Sequence, residues 1–367
     1  MKFLITGGGT GGHIYPALAI ANEIKDRHSD ANILYVGTAH GLESELVPKE
    51  GYNFKTIRVK GFSRKLSKET FSTIKELFLG LKDSRKIINE FKPDVVIGTG
   101  GYVCGPVVYT ASRKGIPTLI HEQNAFPGIT NKILSRYVDK VAVSFEEANK
   151  YFKYPEKIIM TGNPVRKSLV NVDTKKAYKM LNIDSEIPFV LSFGGSGGQR
   201  SLNDSMAYVI RENANNPNIQ ILHVTGNRFY DSFIENLKKD NIKYGKNIQI
   251  VPYFYKMPEG LNIADLVVTS AGAITLSEIT VIGIPSIIIP KAYTAENHQV
   301  YNAKVIEEKG AGIMIEEGDL NGELLNRKIQ ELLNDRKKIK EMAIKSKKIG
   351  RITAVSEIVD IVDSLLK

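Results

Sequence analysis

Short apolar runs alternate along this chain with longer stretches in which apolar residues recur every three or four positions. Runs of four to seven apolar residues bounded by turn signals predict buried strands, and the amphipathic stretches between them predict helices. In the first half the strands fall at Phe3–Thr6, Ile33–Val36, Val95–Gly98, Thr118–His121 and Val138–Val143. In the second they fall at Phe189–Phe193, Ile219–Thr225, Ile248–Val251, Leu266–Thr269 and Ser286–Ile289. Regular strand–helix alternation predicts an α/β class with parallel layers. Each half is expected to form a doubly wound, Rossmann-like sheet with its ligand site at the carboxyl ends of the strands. Gly162-Asn163-Pro164-Val165 interrupts both periodicities, giving expected segments 1–163, 164–350 and a closing helical segment 351–367.

Three predicted strands run into glycine clusters that open helices: Gly7 to His13, Gly98 to Gly105, and Gly194 to Gly198. Glycine lets the backbone approach an anion closely, and the N–H groups and positive dipole end of a following helix hold the charge. One such loop per half predicts two phosphorylated ligands, or one ligand held across a cleft. The first two loops are placed to share one pyrophosphate. Gly7-x-Gly9-x-x-Gly12 also matches the dinucleotide fingerprint. The second strand, however, ends in Gly37-Thr38-Ala39-His40 without the acid that would grip a ribose, so a dehydrogenase is the weakest enzyme reading. A P-loop is excluded, because His13 stands where Lys and Ser or Thr would have to follow the last glycine. Cys104 reads as a small packed residue, since no base adjoins it in sequence.

Polar residues gather where strands are expected to end. His121, Glu122 and Asn124 follow the run beginning at Leu119, as hydrogen-bonding or acid/base groups or as structural ones. Glu278 lies early in a predicted helix, where a buried carboxylate would bind two ribose hydroxyls and a solvated one would simply answer the helix dipole. His298 and Gln299 open a later helix. No Asp-x-Asp motif and no His/Asp cluster with ligand spacing is present, so the expected mechanism uses no metal and no cofactor.

With 367 residues, 42% of them hydrophobic, the chain can bury the cores of two domains of ordinary size. A single cysteine rules out an internal disulfide framework. The start, Met1 to Ile5, is too short and too weakly charged for a signal peptide and no later run could span a bilayer, so the chain is expected in the cytoplasm. The net charge of +10 points to nucleic acid, an anionic membrane or an acidic substrate. Position narrows the choice, for residues 55–92 hold 11 Lys/Arg against 4 Asp/Glu, a surplus of 7. Within that window Phe71, Ile74, Leu77, Phe78 and Leu81 recur at helical spacing, ringed by Arg64, Lys65, Lys68, Lys75, Lys82, Arg85 and Lys86. Such a helix either lies on a membrane surface or packs an apolar stripe and solvates a basic face; the pattern by itself favours packing.

Taken in order, Gly8 to His13, Gly100 to Tyr102, His121 to Asn124, Gly162 to Arg166, Gly194 to Ser196, Ser270 to Glu278 and His298-Gln299 resemble the MurG family of bacterial peptidoglycan glycosyltransferases, over essentially the whole chain. The resemblance implies the GT-B fold, two Rossmann-like domains facing across a cleft, with the acceptor held mainly by the first, the donor by the second, and the last helix crossing back to the first. It implies transfer of N-acetylglucosamine from UDP-N-acetylglucosamine to the muramoyl C4 hydroxyl of undecaprenyl-diphospho-N-acetylmuramoyl-pentapeptide, lipid I to lipid II, with inversion. Carried over by position, Ser196 and its loop would hold the donor pyrophosphate with Arg166 nearby, Glu278 the ribose and Phe254 the uracil. Thr10, Gly11, Gly12, Asn124 and Gln299 would face the sugar, with Ala273, Thr275 and His298 completing the donor site. Gly9, Gly100, Gly101 and Tyr102 would meet the lipid diphosphate. The pattern departs at Gly197, where a glutamine is common, and at His298, where some relatives have a second glutamine.

A lipid-linked acceptor turns the reading of residues 55–92 toward docking on an anionic inner-membrane surface through Phe71, Ile74, Phe78, Lys75, Lys82 and Arg85. The chain is then expected as a peripheral protein of the cytoplasmic face, with cell-wall synthesis proteins as candidate partners and nucleic acid not among them. His13 is the first candidate for the base and Glu122 the second, since an imidazole titrates near working pH. Two other readings share the architecture: a UDP-N-acetylglucosamine 2-epimerase, and a non-catalytic UDP-sugar-binding scaffold.

Overall fold

The computed structural model describes residues 1–61 and 68–366, apart from the side chains of residues 68–71 and of Ala295. It divides into two units, Met1–Val165 with Ile352–Lys367, and Arg166–Arg351.

The first unit runs β1 (Lys2–Thr6), α1 (Gly11–Arg27), β2 (Asn32–Gly37), α2 (Glu43–Lys49), β3 (Asn53–Thr56), α3 (Lys68–Phe91), β4 (Val95–Gly98), α4 (Cys104–Arg113), β5 (Thr118–Glu122), α5 (Ile129–Leu134), β6 (Lys140–Val143) and β7 (Ile158–Met160). Among the described residues the sheet has seven strands in the order β3-β2-β1-β4-β5-β6-β7. All pairs are parallel. Helices cover both faces, so Phe3, Leu4 and Ile5 and then Val95, Val96 and Ile97 are buried without interruption. Register sets Thr6 beside Gly98, so the glycine loops after β1 and β4 leave the sheet side by side.

The second unit runs α6 (Thr174–Leu181), β8 (Phe189–Phe193), α7 (Arg200–Glu212), β9 (Gln220–Val224), α8 (Tyr230–Lys239), β10 (Ile248–Val251), α9 (Met257–Ile263), β11 (Leu266–Thr269), α10 (Ala273–Ile282), β12 (Ser286–Ile288), α11 (His298–Glu308), β13 (Gly312–Met314), α12 (Gly322–Asn334) and α13 (Arg336–Ile349). Its six described strands are parallel in the order β10-β9-β8-β11-β12-β13. Phe193 pairs with Thr269, which sets the loop after β8 next to the start of α10. The strands absent from the sequence reading, β3, β7 and β13, are all sheet edges of three or four residues. An edge needs less burial, so its apolar signal is weak.

The last helix, α14 (Ala354–Leu365), belongs to the first unit. Ile358, Val359, Ile361 and Val362 join the core that contains Ile14, Ile20 and Ile24 of α1. Arg27 ties the two helices together through Asp360 Oδ1 at 2.6 Å and Ser356 Oγ at 2.6 Å, and His28 meets Asp363 at 2.9 Å.

The apolar stripe of helix α3 is only partly buried. Thr73, Gly80, Ser84, Ile87 and Ile88 face inward, while Ile74 and Phe78 remain 40% and 67% exposed beside solvated Lys75, Lys82 and Arg85. Small inward residues let the helix pack closely on its neighbours: a side chain added at Gly80 would lie 2.6 Å from the Arg58 carbonyl and 3.4 Å from Pro106 of α4. Arg64 and Lys65 lie outside the described residues, as do the side chains of Lys68 and Phe71. No described helix is long and apolar enough to cross a membrane.

Each unit buries a neutral histidine. His223 on β9 takes Ser192 Oγ at 3.1 Å and lies against Phe233, and burial pushes its pKa down to about 3. Burial likewise takes His121 on β5 down to about 4. Groups whose pKa falls on folding bind more protons when unfolded. Their stabilisation is therefore complete above the unfolded value of 6.5 and is lost as pH falls toward 4 for His121 and 3 for His223. Urea unfolding is expected to lose on the order of 3 kcal/mol per histidine across that window, and a His223→Gln variant a smaller amount than the parent. A stability that is flat between pH 6.5 and 4.5 would contradict this.

Candidate active site

Thr10 caps α1 in extended conformation and its carbonyl accepts from the His13 and Ile14 amides, which brings the His13 ring to the first loop. His13 Nδ1 lies 3.1 Å from Gln123 Oε1. Gln123 Nε2 donates to the Thr99 carbonyl at 2.7 Å and reaches His121 Nδ1 at 3.0 Å, so the amide nitrogen and oxygen are not interchangeable. Its oxygen therefore accepts from His13, which places the His13 proton on Nδ1 and leaves a lone pair on Nε2. His121 is set the opposite way: its Nδ1 accepts, and its Nε2–H donates to the Gly162 carbonyl at 3.0 Å. Desolvation by burial, partly offset by the Gln123 and Thr99 contacts, lowers the His13 pKa below 6.5, so the ring is neutral at pH 7. A neutral imidazole with an open Nε2 is chemically a base.

Gly100, at φ 108°, passes over this ring, and a Cβ there would stand 2.8 Å from His13 Nδ1. The loops of the first unit spend many of their amides internally. Gly8 N–H donates to the Gly100 carbonyl, Gly9 N–H to Glu43 Oε2 at 3.1 Å, and Gly100 N–H to Cys104 Sγ at 3.2 Å. Glu43 is fully buried and also accepts from Thr38 N and Oγ1 at 3.1 and 2.7 Å. An acid does follow β2, then, but it clamps the loop instead of reaching outward. The amides of Gly11 and Gly12, at the α1 N-terminus, carry no hydrogen bond among the described residues, and no acid lies in that first turn. Tyr102 is exposed and borders Gly9. Cys104 bonds the Thr6 and Gly100 carbonyls, and burial pushes its thiol up to about 12, so it is a packed group and no nucleophile.

Glu122 is buried with both oxygens engaged. Oε1 accepts from Asn124 N and Nδ2 at 3.0 and 3.2 Å, and Oε2 from Gly128 N and Asn131 Nδ2 at 3.1 and 2.8 Å. Burial raises its pKa, and these four donors oppose the rise. The geometry is that of a clamp on the loop carrying Asn124.

In the second unit, α7 begins at Arg200, past the glycines, so Gly194 to Gly198 form a free-standing turn closed by Gly198 N–H on the Gly195 carbonyl. At Gly198, φ 71°, a Cβ would strike the Thr225 carbonyl. Ser196 and Gly197 are exposed, and no hydrogen bond engages their amides among the described residues. Gly197 has open space where a side chain would stand. Gln299 is buried at the start of α11, where its Oε1 accepts from Ala271 N at 3.2 Å and Lys291 N at 3.0 Å. Lys291 Nζ in turn donates to the Gly198 carbonyl at 2.8 Å. Ala273 opens α10, with Thr275 and His298 partly buried, and Phe254 packs on Gly260. Glu278 lies in the second turn of α10, too far along for a dipole role, and is buried against Arg166 Nε at 2.8 Å. Among the described residues no group of three or more His, Cys, Asp and Glu side chains could hold a metal ion.

Gln123, Glu43 and Lys291 were missed by sequence reasoning. Gln123 sits inside the polar run His121 to Asn124 and was the one polar residue there given no task. Replacing it with glutamate offers His13 Nδ1–H a charged acceptor. By NMR titration the His13 midpoint is expected to lie below 6.5 in the parent and about one unit higher in Gln123→Glu. An unchanged midpoint would show that Gln123 does not set the state of His13.

The family model of the glycosyltransferase family 28 N-terminal domain matches residues 3–143, and that of the glycosyltransferase family 28 C-terminal domain matches residues 189–361. The UDP-N-acetylglucosamine–N-acetylmuramyl-(pentapeptide) pyrophosphoryl-undecaprenol N-acetylglucosamine transferase of Thermoanaerobacter sp. (strain X514) is 50% identical over 365 residues, covering 100% of both chains. The crystal structure of Acinetobacter baumannii MurG superposes with a TM-score of 0.79 at 27% identity, covering 99% of each chain. A UDP-N-acetylglucosamine 2-epimerase structure from Listeria monocytogenes reaches 0.73 at 14% identity over 99% of this chain and 96% of its own, a likeness of fold alone. With both family 28 domains present and half its residues shared over the full length, the chain belongs to the MurG family of glycosyltransferases.

Proposed function

We propose that the chain transfers N-acetylglucosamine from UDP-N-acetylglucosamine to the C4 hydroxyl of the muramoyl sugar in undecaprenyl-diphospho-N-acetylmuramoyl-pentapeptide, forming lipid II from lipid I with inversion. The observation that carries this reading is the 50% identity, end to end, with a transferase named for that donor and acceptor. The acceptor oxygen bonds to C1, the bond from C1 to the phosphate oxygen breaks, and its electron pair leaves with UDP. His13 Nε2, held as a lone pair by Gln123, takes the hydroxyl proton. Glu122 keeps Asn124 in place beside the sugar. The first unit takes the acceptor, with the lipid diphosphate at the α1 N-terminus, Gly100, Gly101 and Tyr102. The second takes the donor, with the diphosphate on the Ser196 and Gly197 amides and the ribose on Glu278, whose second oxygen is left to hydroxyl donors by the Arg166 contact at Oε1.

UDP release from UDP-N-acetylglucosamine is expected only when a short-chain lipid I analogue is supplied, and His13→Ala is expected to slow it about 100-fold or more while UDP binding is kept. Release without acceptor, or epimerised donor, would instead favour an epimerase, and donor binding with no turnover would favour a scaffold.

On the same reading the exposed Ile74 and Phe78, with Lys75, Lys82 and Arg85, dock on the anionic inner leaflet from the cytoplasmic side. Each basic side chain near such a surface contributes roughly 1 kcal/mol, so the triple change Lys75→Gln, Lys82→Gln, Arg85→Gln is expected to weaken binding to phosphatidylglycerol vesicles about 100-fold. Equal binding of the variant would remove α3 from the docking surface.

A further inference from the structure

We infer that Lys291 is a donor-binding residue, a fixed cation that meets the diphosphate of the nucleotide sugar at the Gly194–Gly198 turn. This deepens the proposed function and rests on its reading of the donor. The main chain of Lys291 is pinned by Gln299 Oε1, which also holds Ala271 at the entrance to α10. Its ammonium is thereby carried to the Gly198 carbonyl at 2.8 Å, on the turn whose Ser196 and Gly197 amides stay open. No carboxylate stands within ion-pair distance of Nζ among the described residues. Glu317 attracts it from further away but is occupied elsewhere, accepting from Ala292 N at 2.7 Å, from Gln199 Nε2 at 3.2 Å and from Ser201 Oγ. Lys291 is partly buried, and desolvation lowers its pKa.

A half-buried ammonium resting on a carbonyl has lost water without gaining a full counter-charge, so an arriving diphosphate gains more from it than from a solvated lysine. When the bond from C1 to the phosphate oxygen breaks, negative charge grows on the β-phosphate, and a positioned ammonium stabilises that charge more than the charge of the bound sugar nucleotide. Lysine here would supply the point charge that the loop amides lack.

Calorimetry on the full chain compares UDP, which carries the diphosphate, with uridine, which does not. For Lys291→Gln, UDP is expected to bind roughly 10- to 100-fold more weakly than to the parent, with uridine unchanged. Lys291→Arg, which keeps the charge, is expected to recover most of the loss, and kcat for UDP release is expected to fall in Lys291→Gln along with affinity. UDP affinities within twofold of the parent would overturn the assignment. So would equal losses for UDP and uridine, which mark a fold defect. If the parent itself does not bind UDP, the donor reading fails, and this inference with it.

Discussion

The chemistry of the first unit depends on one hydrogen bond, from Gln123 Nε2 to the Thr99 carbonyl at 2.7 Å. A carbonyl can only accept, so this bond fixes which end of the Gln123 amide is nitrogen. From there the assignment propagates both ways: the oxygen draws the His13 proton to Nδ1, and the nitrogen makes His121 Nδ1 an acceptor. Two imidazoles thus take opposite tautomers from one side chain. Turning the amide over would set its oxygen against the Thr99 carbonyl and its nitrogen against His13. In a buried network each such mismatch costs the full desolvation of the group left unpaired, about 1–3 kcal/mol.

The glycine clusters look alike in sequence, yet they dispose of their N–H groups differently. The loop after β1 gives Gly8 and Gly9 to the Gly100 carbonyl and Glu43, so its rigidity is built from the donors an anion would otherwise take. What it leaves open is the helix end at Gly11 and Gly12, with the Glu43 carboxyl group behind it. The turn after β8 keeps the Ser196 and Gly197 amides unspent and has an ammonium on its last carbonyl. On the proposed reading this asymmetry suits the reaction. The donor diphosphate gains charge as the sugar departs and needs the more positive seat, whereas the acceptor diphosphate is unchanged by the chemistry and needs only to be placed.

Much of the fold was legible because buried parallel strands are continuous apolar runs, and ten of them could be read directly. The edges β3, β7 and β13 were not, since three or four half-exposed residues carry no decisive periodicity. Helix α3 shows a different limit. Its apolar residues were visible, but the face that packs is chosen by Gly80 and Ser84, whose smallness lets α4 approach, and this leaves Ile74 and Phe78 outward. Motif residues such as His13 and Glu278 could be found by spacing from the glycine turns. Glu43, Gln123 and Lys291 could not, because their contacts join positions 34, 24 and 93 residues apart and exist only once the sheet sets the loops side by side.

On the proposed reading, Glu278 and Lys291 show how charges that meet a ligand are tolerated before it arrives. Glu278 is 7% exposed in its side chain and is met by Arg166, itself 54% exposed, so the buried carboxylate is neutralised from the solvent side. Removing a carboxylate from water without a partner costs several kcal/mol, and Arg166 offsets that at one oxygen. The same logic does not extend to Lys291, whose local partner is a dipole and not a charge. A dipole compensates less than an ion pair, and it can be outbid by a diphosphate without any ion pair having to break. The second unit therefore keeps one ligand charge permanently paired and another only partly compensated. Of the two, the partly compensated one would change its energy more on meeting a phosphate.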